Sequence, residues 1–205
     1  MTEYDRADPE FGPDWRTAHD LPDQALICGS APCLFEEFEE ASAILPDAAV
    51  LVVNEAGRVI RGDHLMTQHP EKASWFRERS INPAITIHTG KPRERACQPD
   101  IDVYWPDCVT LATSGGSAIA IALRMSFERI VLCGMPMNGG DGYFSQSAME
   151  TDEPRFGLES AESDYIQAYK DRLIDFAATH PEALQRVRSL SGFTREIFGA
   201  PEWQA

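Results

Sequence analysis

The sequence predicts an α/β fold: a Rossmann-like, doubly wound, mostly parallel sheet flanked by helices, in a single domain. Three observations carry this. Short apolar runs such as Ala25–Cys28, Ala49–Val53 and Ile130–Cys133 recur along the chain; they are too brief for helices and suit strands buried on both faces. Between them lie longer segments with apolar residues at helical spacing, the mark of a helix with one buried face. The runs also end on Gly or small polar residues, the usual signal of a loop. Strands that alternate with helices build a parallel sheet.

In chain order, residues 1–23 are polar and acidic, with three prolines, and read as an N-terminal arm to a domain at 24–205; Trp15 is a candidate anchor for it. The first strand, Gln24–Cys28, runs into Gly29-Ser30-Ala31-Pro32. The next helix, 34–45, places Leu34, Phe35, Phe38, Ala41, Ile44 and Leu45 on one face and its acids on the other. Pro46-Asp47 stops it. The second strand, 49–53, ends in Asn54-Glu55-Ala56-Gly57, and a third, 63–66, leaves Thr67-Gln68-His69-Pro70-Glu71 at its end. A helix over 71–79 carries Trp75 and Phe76, and a fourth strand spans 84–88. Residues 89–108 read as a polar connection. Ser114-Gly115-Gly116-Ser117 reads as a turn before a helix of small side chains at 118–125, and the strand 130–133 then ends at Gly134-Met135-Pro136. Residues 138–157, rich in Gly, acids and aromatics, lack any period; loops this long are usually functional lids or disordered. The expectation is a lid, with a plain surface loop as its alternative. A helix over 160–179 (Tyr165, Tyr169, Leu173, Phe176), a strand at 186–190 and a helix at 194–198 complete the chain.

Composition narrows the partners. With 18 Lys and Arg against 33 Asp and Glu, the net charge is −15, which opposes general binding to nucleic acid or anionic membranes. Lys91, Arg93 and Arg95, or Arg186 and Arg188, are the candidate basic pockets for an anionic ligand. The five Cys, at 28, 33, 97, 108 and 133, form no C-x-x-C pair. Free thiols, no secretory signal pattern in M-T-E-Y-D-R-A-D-P-E and no apolar run of the ~20 residues that span a bilayer predict a cytoplasmic protein. A homo-oligomer is left open.

In a parallel sheet, the ends of all the strands share one edge, where ligands bind. Four such ends converge here: Gly29-Ser30, Asn54-Glu55, Gln68-His69 and Gly134-Met135. Gly29 to Pro32 opens a helix and can present backbone N–H groups and a helix dipole to a phosphate; the alternative is a tight strand–helix turn. It is neither G-x-G-x-x-G nor a P-loop. Ser114 to Ser117 has the same form, with N-capping as its alternative role. Asn54 and Glu55 stand where a nucleotide's sugar hydroxyls find partners, or form an Asx turn. His69 and Asp141 are the candidate catalytic acid–base groups. Asp100-Ile101-Asp102 has the D-x-D spacing of nucleotide-bound cation sites, a pattern that an acidic chain also produces by chance. No zinc spacing is present, and no dedicated metal site is predicted.

Gly29-Ser30-Ala31-Pro32 resembles the glycine loop after the first strand of bacterial sialyltransferases that use a cytidine-monophosphate sugar, and of archaeal 6-hydroxymethylpterin diphosphokinases. Asn54 resembles the sialyltransferases' second-strand asparagine. S-G-G-S-A-I-A-I-A-L followed by R-I-V-L-C-G-M-P-M resembles their turn–helix and a strand ending in G-x-D. Uncharacterised phage and prophage proteins share H-P-E, the G-M-P-M strand end, and S-G-x-T with a final G-x-P. Ser30-Ala31 stands in place of Asn-Gly, and Pro136 in place of the final Asp. The resemblance implies a Rossmann-like, nucleotide-dependent transferase, most plausibly taking a nucleotide-activated sugar. It gives Gly29 to Pro32, Asn54, Glu55, Ser114 to Ser117 and Gly134 to Pro136 as the nucleotide site. A pyrophosphokinase-like enzyme using ATP and magnesium, or a non-catalytic nucleotide-binding phage protein, are the alternatives.

Overall fold

The computed structural model describes residues 16, 19–90, 98–105, 108, 113–138 and 162–203, with side chains from 166 onward in the last segment. Trp15, Lys91, Arg93, Arg95, Cys97, Asp141 and nearly all of the expected lid at 138–157 lie outside these residues, as does the side chain of Tyr165.

Seven parallel strands form one sheet in the order β5-β4-β3-β2-β1-β6-β7. They are β1 (Gln24–Cys28), β2 (Ala49–Val53), β3 (His64–Thr67), β4 (Thr86–Thr89), β5 (Val103–Tyr104), β6 (Arg129–Cys133) and β7 (Val187–Ser189). The order reverses at β1, with β2 on one side and β6 on the other; this is the switch point of a doubly wound sheet. The helices are α1 (Leu34–Ile44), α2 (Ala73–Arg79), α3 (Ser114–Arg124), α4 (Glu162–Thr179), α5 (Pro181–Arg186) and α6 (Gly192–Phe198).

The strand period of two divides the core. Ala25, Ile27, Leu51, Met66, Ile130 and Leu132 face one layer with Ala118, Ile119 and Ala122 of α3 and Leu173 and Phe176 of α4. Leu26, Cys28, Val52, Leu65, Val131 and Cys133 face the other with α1, α2 and the 3₁₀ segment after β2. Ala and Ser on α3 let it lie close against the sheet. Before β1, Leu21 packs on the first of these layers, and Asp23 accepts the Glu128 N–H at 2.7 Å, so the end of the arm is part of the domain.

Several local expectations change. Ser114 to Ser117 is the first turn of α3 rather than a turn before it, because Thr113 is extended and its Oγ1 caps the Gly116 N–H at 2.9 Å. The polar connection holds β5, whose backbone is anchored when Trp105 N–H donates to Thr89. The 71–79 helix divides into a 3₁₀ turn, Pro70–Lys72, and α2. The short helix α5 was unpredicted. Along α1 and its C-cap, Leu34, Phe38, Ala41, Ile44 and Leu45 face the core as expected, whereas Phe35 is 51% exposed and Glu37 points inward in its stead.

Candidate functional site

The carboxyl edge at the switch point is built by two turns tied to each other. Gly29 N–H donates to Cys133 O at 2.8 Å and Ala31 N–H to Gly134 O at 3.0 Å, so two donors of the first turn are spent on the second. Gly134 is left-handed at φ +62°, and its N–H is taken by buried Glu37 at 2.7 Å. The sequence pattern places Glu37 among the outward acids of this helix; its inward signal, three residues after buried Leu34, is faint. The Cys33 thiol also leans on this carboxylate. Burial first, then Glu37, raises that thiol to about 11 and keeps it protonated.

The second turn continues as a clamped strap. Thr194 Oγ1 donates to Met135 O at 2.8 Å and Phe193 N–H to Pro136 O at 2.7 Å. Gly192, at φ +63°, has no room for a Cβ against Pro136 O and Asn138 Oδ1. Ser191 to Thr194 therefore fix the strap, a role absent from the predicted site. Met135 lies over the Cα of both Gly29 and Gly115: a Cβ on Gly115 would stand 2.7 Å from its Cε, and one on Gly29 would overlap its Cγ. At Gly29 the backbone carbonyl of Gly134, 2.5 Å from where a Cβ would stand, demands glycine as firmly as the thioether does; at Gly115 the thioether tip alone is close.

Asn54 sits at the end of β2. Continuing the strand register places it level with Ser30 on β1 and Thr67 on β3. It adopts φ +49°, which Asn tolerates better than most residues, and its Oδ1 is buried with no hydrogen-bond partner among the described residues. Glu55 follows it, partly exposed, in a 3₁₀ turn. An unpaired buried carbonyl oxygen costs about 1–3 kcal/mol.

At the end of β3, Gln68 N–H donates to Ser114 Oγ at 3.0 Å, and its side-chain amide donates to Ser117 Oγ, which itself donates to Cys108 O at 3.0 Å. The two Ser hydroxyls thus bind β3 to α3. The Ser114 and Gly115 N–H groups at the helix start have no partner among the described residues. His69 follows Gln68; its Nδ1 meets Glu71 Oε1 at 3.2 Å, with both side chains about half exposed at 53% and 55%. Asp141 lies outside the described residues.

Gly29 to Pro32, Asn54, Glu55, His69, Ser114 to Ser117 and Gly134 to Pro136 therefore share the carboxyl edge of one parallel sheet. The D-x-D has a structural part instead: Asp102 Oδ2 accepts from Arg77 and from the Ile87 N–H, each at 2.7 Å. Arg188 is likewise spent on the carbonyls of Leu184 and Val187.

Two solved structures share this architecture. The MAf glycosyltransferase from Magnetospirillum magneticum AMB-1 superposes with a TM-score of 0.52 at 16% identity, over 84% of this chain and 32% of that one. The monofunctional alpha-2,3-sialyltransferase Cst-I from Campylobacter jejuni gives 0.55 at 14% identity, over 88% of this chain and 80% of that one. The fold is glycosyltransferase-like. No family model and no curated protein matches the sequence. The chain spans about a third of the first structure's length, and at these identities the likeness concerns the fold. No helix among the described residues is long and apolar enough to cross a membrane. Among those residues no group of three His, Cys, Asp or Glu is placed to hold a metal ion, and Cys28, Cys33, Cys108 and Cys133 form no disulfide with one another.

Proposed function

We propose that the protein is a nucleotide-dependent transferase of the glycosyltransferase type, taking a nucleotide-activated sugar at the β1–β6 switch point. The observation that carries this reading is Asn54: a buried amide oxygen at the end of β2, beside β1, that has no partner among the described residues. A ribose or sugar hydroxyl is the kind of donor that satisfies it. Ser114 and Gly115 N–H groups at the positive end of α3 suit a phosphate. None of these groups is a Lys or Arg, so anion binding here rests on backbone donors and the helix dipole.

His69 is the acid–base candidate. Glu71 on Nδ1 sets the tautomer and leaves Nε2 for the reaction. In transfer, Nε2 takes the proton of the acceptor hydroxyl as its oxygen bonds to the anomeric carbon, while the bond to the nucleotide phosphate breaks and the phosphate leaves with the electron pair. The half-exposed setting of His69 and Glu71 favours a second reading, a nucleotide-binding protein without turnover.

Calorimetric titration with cytidine, uridine and adenosine nucleotides, with and without magnesium, tests the reading. A cytidine or uridine nucleotide is expected to bind. Asn54→Gly, which keeps the left-handed backbone and removes the amide, is expected to weaken it about tenfold, the equivalent of about 1.4 kcal/mol. His69→Ala is expected to keep binding and lose release of sugar from the nucleotide sugar. Binding of adenosine triphosphate only with magnesium points to the pyrophosphokinase-like alternative. Binding without turnover in the unmutated protein points to the second reading, and no binding of any nucleotide refutes the proposal.

A further inference from the structure

The backbone of residue 135 is held from both sides, by Glu37 on the Gly134 N–H and by Thr194 on its own carbonyl. Its side chain is partly exposed and lies across Gly29 and Gly115. An unbranched thioether with three rotatable bonds on a fixed backbone can leave its place without moving the loop. Where it now sits, it covers the glycine backbones at the starts of the β1 turn and α3, surfaces that a phosphate or sugar must reach to use the nearby N–H groups. It offers no hydrogen bond to such a ligand, and an anion pressed against it loses water without replacement.

We propose that Met135 is a specificity-determining wedge: its side chain closes the crevice between Gly29 and Gly115, and a nucleotide gains the site by displacing it. This inference rests on the nucleotide reading of the same crevice. It makes the free protein self-occluded, and it makes the room left by the rotated thioether the limit on what binds.

The test uses the full chain with methyl-¹³C methionine and the nucleotide panel above as probes. The Met135 methyl, assigned as the signal lost in Met135→Ala, is expected to show a nuclear Overhauser contact to Gly115 Hα in the free protein and to lose it at saturation. Met135→Ala is expected to bind about tenfold tighter than the unmutated chain. Met135→Leu, of similar volume but branched and less able to turn aside, is expected to bind more weakly. Binding by Met135→Ala alone supports the wedge. If the unmutated chain binds, the methyl contact persists at saturation and Met135→Ala binds no tighter, the wedge is overturned and the nucleotide reading stands. If neither binds any nucleotide, both are overturned.

Discussion

At the residue scale, the groups that shape the edge are those whose partners lie far away in sequence. Glu37 and Gly134 are 97 positions apart, yet the carboxylate accepts the N–H of the left-handed Gly134. Removing it in Glu37→Ala leaves a buried donor unpaired, which costs about 1–3 kcal/mol. For a domain of this length each kcal/mol lowers the melting point by roughly 2–4 °C. Glu37→Gln retains an amide oxygen as acceptor and is expected to lose clearly less. Thermal unfolding of the two variants checks this, and equal losses would mean that the hydrogen bond to Gly134 is not what the carboxylate supplies. Asn54 and the Gly29 turn were legible in the sequence because a strand end announces itself locally. The parts played by Glu37 and Thr194 were not, and Met135 was legible only as a strand end, because these roles exist only once β1, β6 and β7 are side by side.

At the element scale, β3 and β4 carry a buried polar chain beneath the α3 layer. Trp105 Nε1–H donates to His88 Nδ1 at 3.1 Å; His88 then holds its proton on Nε2, which faces His64 Nδ1 at 3.0 Å. Both rings are neutral in this arrangement. Burial, above all, depresses both: His64 falls to about 4 against the opposing pull of Asp63, and His88 lies well below its usual value, with His64 and His19 adding to the effect. Unfolding restores the ordinary value near ~6.5, so between about 4 and ~6.5 the unfolded chain binds more protons than the folded one. Stability is therefore complete above ~6.5 and falls as the pH drops through this window, by ~1.4 kcal/mol per pH unit for each histidine. Denaturant melts between pH 5 and ~6.5 should show a shallower slope in His64→Gln, by up to one proton. An unchanged slope would place the proton uptake elsewhere. The sequence showed these strands through their apolar residues but missed β5, because Val103–Tyr104 is only two residues set in a polar stretch. Along α1 and its C-cap it placed Leu34, Phe38, Ala41, Ile44 and Leu45 against the core but took Phe35 for Glu37 as an inward residue, because Phe35 outweighs Glu37 in any hydrophobic pattern.

At the scale of the whole molecule, parallel pairing throughout brings the strand ends to one edge, and reversal of strand order at β1 opens the crevice there. Alternating strands and helices made this much readable, since a parallel sheet leaves no choice about which ends meet. The ligand is less readable, because glycine at 29 is required by the close Gly134 backbone and so does not by itself report a phosphate. The central claim is that a nucleotide occupies this crevice between the Gly29 turn, Asn54 and the start of α3. Amide chemical-shift mapping during titration with the tightest-binding nucleotide of the panel tests it most directly. The account predicts the largest shifts at Ser30, Asn54, Ser114, Gly115 and Met135, with little change at Asp63, Glu128 and Arg129 at the starts of β3 and β6. Shifts concentrated at those amino ends, with the five crevice amides unmoved at saturation, would contradict it.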